Sequence, residues 1–381
     1  MFPGSFPGAW PADDSSYYSN RSYNPSQISG FGDLDYYFRP DLHASVGVRY
    51  ESAKEHFYRI GNYYYTGCGL PAADGTPQTC PVVFNPPDVN YHATTPRAAL
   101  VWDVTDTDTL YASASKGYRE GSFNINVPLY GSATNGSLFD LKTLGLCNGT
   151  VSGCQNTIPT AFQPDTLWSY EIGNKSRWFD NRLSLDTSLY FLRWSNTQQE
   201  IFLVTSYYEF EANAGHVQSW GGEFDLKARP LTGLTLNVAG GFNQATFSDN
   251  VPALGNNNGA LNVSKGAKVP GVPDYNTSLG ADYDFAYSAV VRGFVRADAR
   301  FVGQSRGTFV IGAPDYFRPA YFTADASTGI HVGPLEVSLF VKNLNNDQKI
   351  LQRPNIQTII EGYTQRPRTL GLRLDYRFAD R

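Results

Sequence analysis

The stretch from Pro164 to Trp194 constrains the fold more than any other part of this chain. Residues two apart in a β-strand share a face, and this stretch has one apolar face and one polar face on either side of Asp180-Asn181. The apolar positions are Trp168, Tyr170, Ile172, Leu183, Leu185, Leu189 and Phe191. The pattern predicts a β-hairpin whose strands are about twice the usual five or six residues, which is long enough to cross a bilayer at a tilt.

The same alternation recurs along the chain and predicts about thirteen strands. Short turns and long connections alternate between these strands. No stretch reaches the roughly 18 consecutive apolar residues of a membrane helix. The sequence therefore predicts an all-β protein, a partial antiparallel transmembrane β-barrel of the outer-membrane type, with short periplasmic turns and long extracellular loops. We expect residues 1–27 to form an extracellular-type loop and residues 28–381 to form the barrel.

Composition excludes several classes of function. The formal net charge is -5 and charged residues make up 17% of the chain, so there is no basic surface of the kind that binds nucleic acid. No nucleophile, base and orienting group can be assembled from the spacing of the residues, so we expect no enzymatic activity and no cofactor. The five histidines are scattered without an i, i+4 pair, and no metal site is predicted.

The four cysteines fall into two pairs that are close in sequence. Cys68 and Cys80 form one pair and Cys147 and Cys154 the other, each within a segment rich in turn residues. Two loop-closing disulfides in an oxidising compartment are the simplest interpretation. Free thiols or a zinc site are the alternatives, although the spacing lacks the C-x-x-C pattern of zinc ligands.

Several segments, in this order and spacing, resemble the later part of the barrel of TonB-dependent outer-membrane receptors. The matching segments are KGYREGSFN at 116–124, PDTLWSYEIGNKSRWFDNRL at 164–183, NAGHVQSWGGEFDLKARPLTGLTL at 213–236, FVKNLNNDQ at 340–348 and RPRTLGLRLDYRF at 366–378. The resemblance implies a barrel of 22 strands with a plugged lumen, of which this chain would supply about thirteen strands. The plug and the early strands would lie outside the chain.

The resemblance also implies a function, a location and partners. It implies a receptor in the outer membrane of a Gram-negative bacterium, in contact with lipid, that takes up a large scarce nutrient. A ferric siderophore is the expected cargo, and the TonB complex is the expected partner, coupled through an N-terminal plug. Receptors for cobalamin, haem or oligosaccharide, a passive porin and a structural barrel are the alternatives.

Two groups of side chains are candidate functional residues. Charged residues on the face opposite the apolar positions would face the lumen, where they would contact a plug or a ligand, or else pair with one another across strands. These residues are Glu171, Lys175, Arg177, Glu223, Asp225, Lys227, Arg292 and Arg300. Aromatic residues of the outer loops would either bind the ligand or belong to an interfacial girdle. These residues are Tyr63, Tyr64, Tyr65, Tyr207 and Tyr208.

Overall fold

The computed structural model describes most of the chain. The described residues are 17–63, 81–84, 86–124, 129, 131, 134–143, 145–155, 157–203, 205–206, 208–213, 215–250, 263–307, 317–352 and 363–378. The strands are β1 (Tyr17–Arg39), β2 (Leu42–Tyr63), β3 (Pro81–Phe84), β4 (Val89–Asp103), β5 (Asp108–Arg119), β6 (Ser122–Phe123), β7 (Ala161–Phe162), β8 (Asp165–Trp178), β9 (Leu183–Ser195), β10 (Gln198–Leu203), β11 (Tyr208–Asn213), β12 (His216–Leu231), β13 (Leu234–Phe247), β14 (Tyr275–Ala286), β15 (Val291–Val302), β16 (Ser305–Arg306), β17 (Phe317–Arg318), β18 (Tyr321–Val332), β19 (Leu335–Lys342), β20 (Ile350–Gln352), β21 (Tyr363–Thr364) and β22 (Thr369–Tyr376). The helices are α1 (Ser137–Thr143) and α2 (Val151–Cys154).

One large antiparallel sheet contains all the long strands. Its order is β1-β2-β4-β5-β8-β9-β12-β13-β14-β15-β18-β19-β22, and β3 adds to β2 off this path. Each long strand therefore pairs with the long strands that precede and follow it in the chain, as in an up-and-down barrel. Among the described residues, β1 and β22 are the two edges and do not pair with each other. The prediction of a partial antiparallel barrel with about thirteen strands is confirmed.

The connections differ at the two ends of the sheet. At one end the strands are joined by short turns, such as Trp178 to Leu183 and Leu231 to Leu234. At the other end the connections are long, and they contain both helices and the short strands β3, β6, β7, β10, β11, β16, β17, β20 and β21. Four pairs of these short strands form two-stranded sheets of their own. We call this end of the molecule the loop layer.

The first strand is longer than the sequence predicts. It begins at Tyr17, and residues 17–27 pair continuously with residues 53–63 of β2. The expectation of a loop over this part of residues 1–27 is therefore wrong. The residues here are mostly polar, and their apolar members do not alternate, so the sequence gives no strand signal. The strand forms through backbone pairing with β2. The division of the chain at residue 28 into loop and barrel otherwise stays a prediction.

The two faces of the sheet have opposite character. Residues directly opposite each other in an antiparallel pair lie on the same face. Tyr170 pairs with Phe191 and Ile172 with Leu189, and these side chains are 39–58% exposed. We call their side the apolar face and the other side the polar face. Neither helix of the described part of the chain has the length and apolar content that crossing a membrane would need.

The main hydrophobic core lies within the loop layer and at the strand ends beneath it. It is formed by buried side chains from both helices, the β10–β11 pair, the ends of β12 and β13 and the connection between β13 and β14. These residues are Leu138, Leu141, Cys154, Ile201, Leu203, Phe210, Val217, Phe247 and Val263. Such a core gives the long connections a fixed conformation, because each buried side chain contributes roughly 1.5–3 kcal/mol of transfer free energy.

Candidate functional site

All eight charged residues that the sequence predicts for the lumen side lie on the polar face. The register shows this directly: Lys175 pairs with Asp186, which pairs with Asp225 on the next strand. The same row continues through Ala239 and Ser278 to Arg300. The structure thus places these residues on one surface, and their exposure to a lumen stays a prediction.

A tyrosine organises the charges at the centre of this face. The Tyr111 hydroxyl donates to Glu171 Oε1 at 2.5 Å. Lys175 Nζ lies over the Tyr111 ring, 5.9 Å from its centroid. The ring occupies the space above Gly173, where a Cβ atom would lie 2.4 Å from the tyrosine. Glycine at this position therefore allows the ring to lie flat between the two charged side chains.

A second pair lies closer to the short turns. Arg177 donates from Nη1 to Asp186 Oδ1 at 2.5 Å and from Nη2 to Asp186 Oδ2 at 3.3 Å. Both side chains are about 40% exposed, so the pair contributes little to stability. This contact is the cross-strand pairing that the sequence offered as an alternative to ligand contact. Arg292 lies opposite His331 of β18, and Lys227 lies opposite Ser184 of β9.

A buried carboxylate holds the loop layer together. Asp140 of α1 is 2% exposed and accepts hydrogen bonds from two consecutive residues of the connection between β10 and β11. Thr205 donates from its amide and, at 2.9 Å, from Oγ1. Ser206 donates from its amide at 2.9 Å and from Oγ at 2.8 Å. The Cys147–Cys154 disulfide closes the adjacent segment, as the sequence predicts.

An arginine joins the sheet to the loop layer. Arg119, the last residue of β5, donates to Asp165 Oδ2 from Nε at 3.2 Å and from Nη2 at 2.7 Å. Asp165 is 1% exposed and also accepts from the Gln198 amide at 3.1 Å. The guanidinium lies 5.0 Å from the centroid of the Trp194 ring. Sequence reasoning missed Arg119, Asp140 and Asp165, whose partners lie far away in the chain.

The β10–β11 pair carries three glutamates of like charge. Glu200 and Glu211 are directly opposite each other. Burial and, secondarily, the charge of Glu209 raise the pKa of Glu200. Burial and the charge of Glu200 raise the pKa of Glu211, and Arg119 only partly offsets this. Carboxylates of like charge therefore lie together on the β10–β11 pair.

Two more glutamates are buried on the polar face near the loop layer. Glu51 and Glu55 of β2 are each 2% exposed. Glu51 Oε2 accepts from Arg49 Nη2 at 2.7 Å, and Glu55 Oε1 accepts from the Tyr23 hydroxyl at 2.5 Å. The second oxygen of each carboxylate, Glu51 Oε1 and Glu55 Oε2, is buried and has no hydrogen-bond partner within the described part of the chain.

The predicted tyrosine group receives no further support. Tyr63 ends β2 and Tyr208 begins β11. Tyr64, Tyr65 and Tyr207 lie outside the described residues. Their role in ligand binding stays a prediction. The predicted Cys68–Cys80 disulfide also lies outside the described residues.

The histidines near the loop layer pair with separate partners. His56 Nδ1 lies 2.7 Å from Asp88 Oδ1, and His216 Nδ1 lies 2.9 Å from Asp249 Oδ2. Hydrogen bonds from Lys54 and His56 lower the pKa of Asp88. Across the described ranges, no three side chains of His, Cys, Asp or Glu converge in a way that could hold a metal ion.

Solved structures with a similar fold are receptors and transporters of about twice this length. The ferric yersiniabactin uptake receptor FyuA of Yersinia pestis matches 97% of this chain with 48% of its own, at 16% identity and a TM-score of 0.70. The ferric-catecholate import receptor Fiu of E. coli K12 matches 94% of this chain with 45% of its own, at 18% identity and a TM-score of 0.63. The copper transporter OprC matches 92% with 48% of its own, at 14% identity and a TM-score of 0.59.

These identities show a shared fold and nothing more. This chain spans about half the length of the receptors that it matches. A family model adds to the structural likeness, since the model named "TonB dependent receptor-like, beta-barrel" matches residues 2–344. With its large antiparallel sheet, polar face and loop layer, the chain belongs to the family of TonB-dependent receptor-like β-barrels.

Proposed function

We propose that this chain forms the later wall of an outer-membrane receptor that imports a ferric siderophore in a Gram-negative bacterium. The observation that carries the proposal is the loop layer, which has its own hydrophobic core above a charged face. A ligand receptor needs binding loops held in one conformation, because flexible loops lose entropy on binding. The matched FyuA and Fiu structures are named as receptors for ferric ligands, which supports iron as the cargo.

The two faces of the sheet have separate roles in this proposal. The apolar face, with side chains such as Ile172 and Leu189, contacts lipid. The polar face, with Glu171, Lys175 and Arg177, contacts an N-terminal plug of the whole receptor and lines the route of the ligand. The TonB complex supplies energy through that plug. The chain itself contributes the wall and the outer binding surface.

Uptake of iron tests this function. Cells that carry the complete gene should accumulate radioactive iron from a ferric siderophore, and cells from which it is deleted should lose at least about 90% of that uptake if no second receptor serves the same cargo. A protonophore should abolish the gene-dependent part, because TonB-coupled import needs energy. Uptake that survives the protonophore would favour a passive pore instead.

A pair of variants tests the role of the loop layer. Asp140→Ala removes the acceptor for Thr205 and Ser206, so we expect it to weaken siderophore binding to intact cells. Asp106→Ala alters an exposed carboxylate in a short turn at the opposite end of the sheet and serves as the control. Equal binding by both variants would argue against ligand recognition by the loop layer.

A further inference from the structure

Two carboxylates on the polar face have unused capacity to accept hydrogen bonds. Glu51 and Glu55 are both 2% exposed, yet each has one buried oxygen to which none of the described residues donates. A buried acceptor without a partner is unfavourable, because it has lost its hydrogen bonds to water and gained none in exchange. The site is therefore complementary to a group that donates hydrogen bonds.

The surroundings show that this group should be positively charged. Three carboxylates, those of Glu120, Glu55 and Glu51, lie in the electrostatic surroundings of the Tyr91 hydroxyl. Arg49 is the cation paired with Glu51, and it donates to Oε2 alone. This part of the surface therefore has an excess of negative charge.

The spacing favours an organic cation over a bare metal ion. Glu51 and Glu55 are four residues apart on β2, which places their Cα atoms about 13 Å from each other. Within the described residues, no three metal-ligating side chains converge on one point. An ammonium or guanidinium group needs no such convergence, since one carboxylate alone can accept its hydrogen bonds, so Glu51 and Glu55 form two separate sites. Charge-assisted bonds of this kind are also stronger than neutral ones.

Arg49 provides a route of entry. Its side chain lies against Glu51, but it is itself 46% exposed, whereas that of Glu51 is 3% exposed. A long, half-exposed arginine can rotate so that its charge returns to water, and the incoming cation then replaces the charge-assisted bonds that Arg49 gives up. Rotation of Arg49 would open Glu51 to the space in front of the polar face.

We propose that Glu51 and Glu55 each bind a cationic nitrogen group, and that the imported ligand carries such a group. The cargo is then a ferric chelate that carries a free ammonium or guanidinium group, and not one whose groups are all anionic. The choice of a ferric chelate rests on the proposed function, whereas the cation site rests on the two carboxylates alone.

Binding to the full chain, refolded in detergent, tests the site by calorimetry at low ionic strength. The first probe is a ferric trihydroxamate with one pendant ammonium group, and the second is the same chelate with that amine acetylated. We expect the ammonium form to bind about tenfold more tightly, which corresponds to ~1.4 kcal/mol. The double variant Glu51→Gln, Glu55→Gln should lose this preference. Glu336→Gln, at the other end of the sheet, should keep it.

The outcomes test the cation site and the siderophore cargo separately. Equal affinity for the two chelates, or a preference that persists in the double variant, would overturn the cation site. Spermidine serves as an iron-free probe. If spermidine binds through Glu51 and Glu55 while neither ferric chelate binds, the cation site stands and the siderophore cargo fails. If no probe shows binding that depends on these glutamates, the inference is wrong. Heat-dependent gel migration of each variant controls for folding.

Discussion

Asp140 shows how much of the loop layer depends on single long-range contacts. Its partners, Thr205 and Ser206, lie 65 and 66 residues away in the chain. No local pattern around Asp140 indicates that it will be buried, because an aspartate in a short amphipathic helix is usually exposed. The sequence could therefore predict that long loops exist but could not predict which residues hold them together.

Replacing Asp140 should loosen the loop layer without affecting the sheet. We expect Asp140→Ala to destabilise the local structure by about 3 kcal/mol, since it removes a buried charged acceptor and leaves its donors unpaired. Hydrogen exchange should accelerate at residues 137–143 and 205–206, while β8 and β9 remain protected. Asp106→Ala should leave both regions unchanged. Uniform loss of protection in the sheet would contradict a local role.

The glutamate pair of β10 and β11 should make this part of the loop layer sensitive to pH. The pKa of Glu200 and that of Glu211 are raised in the folded state. The folded form therefore binds protons more tightly, and the associated stability is present below about pH 4 and is lost as the pH rises through the folded pKa values. Amide protection in β10 and β11, corrected for intrinsic exchange, should fall over that range.

A single neutral substitution tests the cause of this pH dependence. Glu200→Gln should stabilise the strand pair at neutral pH by about 0.2–1 kcal/mol, the usual size of the effect for like charges that are directly opposite. It should also reduce the change of amide protection in β10 and β11 with pH. Glu336→Gln on β19 is the control. A profile that is unchanged in Glu200→Gln would mean that other groups control it.

At the scale of elements, the turn between β8 and β9 has an unusual backbone. Phe179, Asp180 and Asn181 have φ angles of 54°, 55° and 62°. Aspartate and asparagine tolerate this left-handed region better than other non-glycine residues, so the sequence correctly predicted a turn at these two positions. Phe179 is exposed and gains no burial in compensation.

Two substitutions at one position test the conformation of this turn. Asn181→Val should destabilise the hairpin by roughly 1–2 kcal/mol, because a β-branched residue is disfavoured at positive φ. Asn181→Gly should be neutral or slightly stabilising. Urea titration of the protein folded into lipid vesicles would measure both. Similar midpoints for the two variants would show that the turn adopts another conformation in solution.

Long strands and short strands differ in how well the sequence predicts them. The hairpin at 164–194 was predictable because its apolar and polar residues alternate over many positions. The strands β6, β7, β16, β17 and β21 have only two residues each, too few for any period to emerge. Residues 17–27 of β1 were missed for a related reason. They pair with β2 through the backbone, and their side chains do not alternate between apolar and polar.

For the whole molecule, the register predicts opposite responses to charge on the two faces. Leu189 and Ser188 are neighbours in β9 and lie on the apolar and the polar face. Leu189→Arg should destabilise the protein in a bilayer by about 2–4 kcal/mol. Ser188→Arg should be tolerated, because it faces Glu223 across the strand pair. Urea titration in lipid vesicles would measure the stability of both variants. An equal loss of stability in the two would contradict the assigned faces.

The unequal ends of the sheet have a consequence for how the protein can vary in length. A residue inserted into a strand moves every later side chain of that strand to the opposite face. The short turns, such as Leu231 to Leu234, leave almost no room to absorb such a shift. The long connections can absorb it, because added residues there cost little loop entropy. Natural insertions and deletions among relatives of this protein should therefore concentrate at one rim, where new binding specificities can arise without rebuilding the wall.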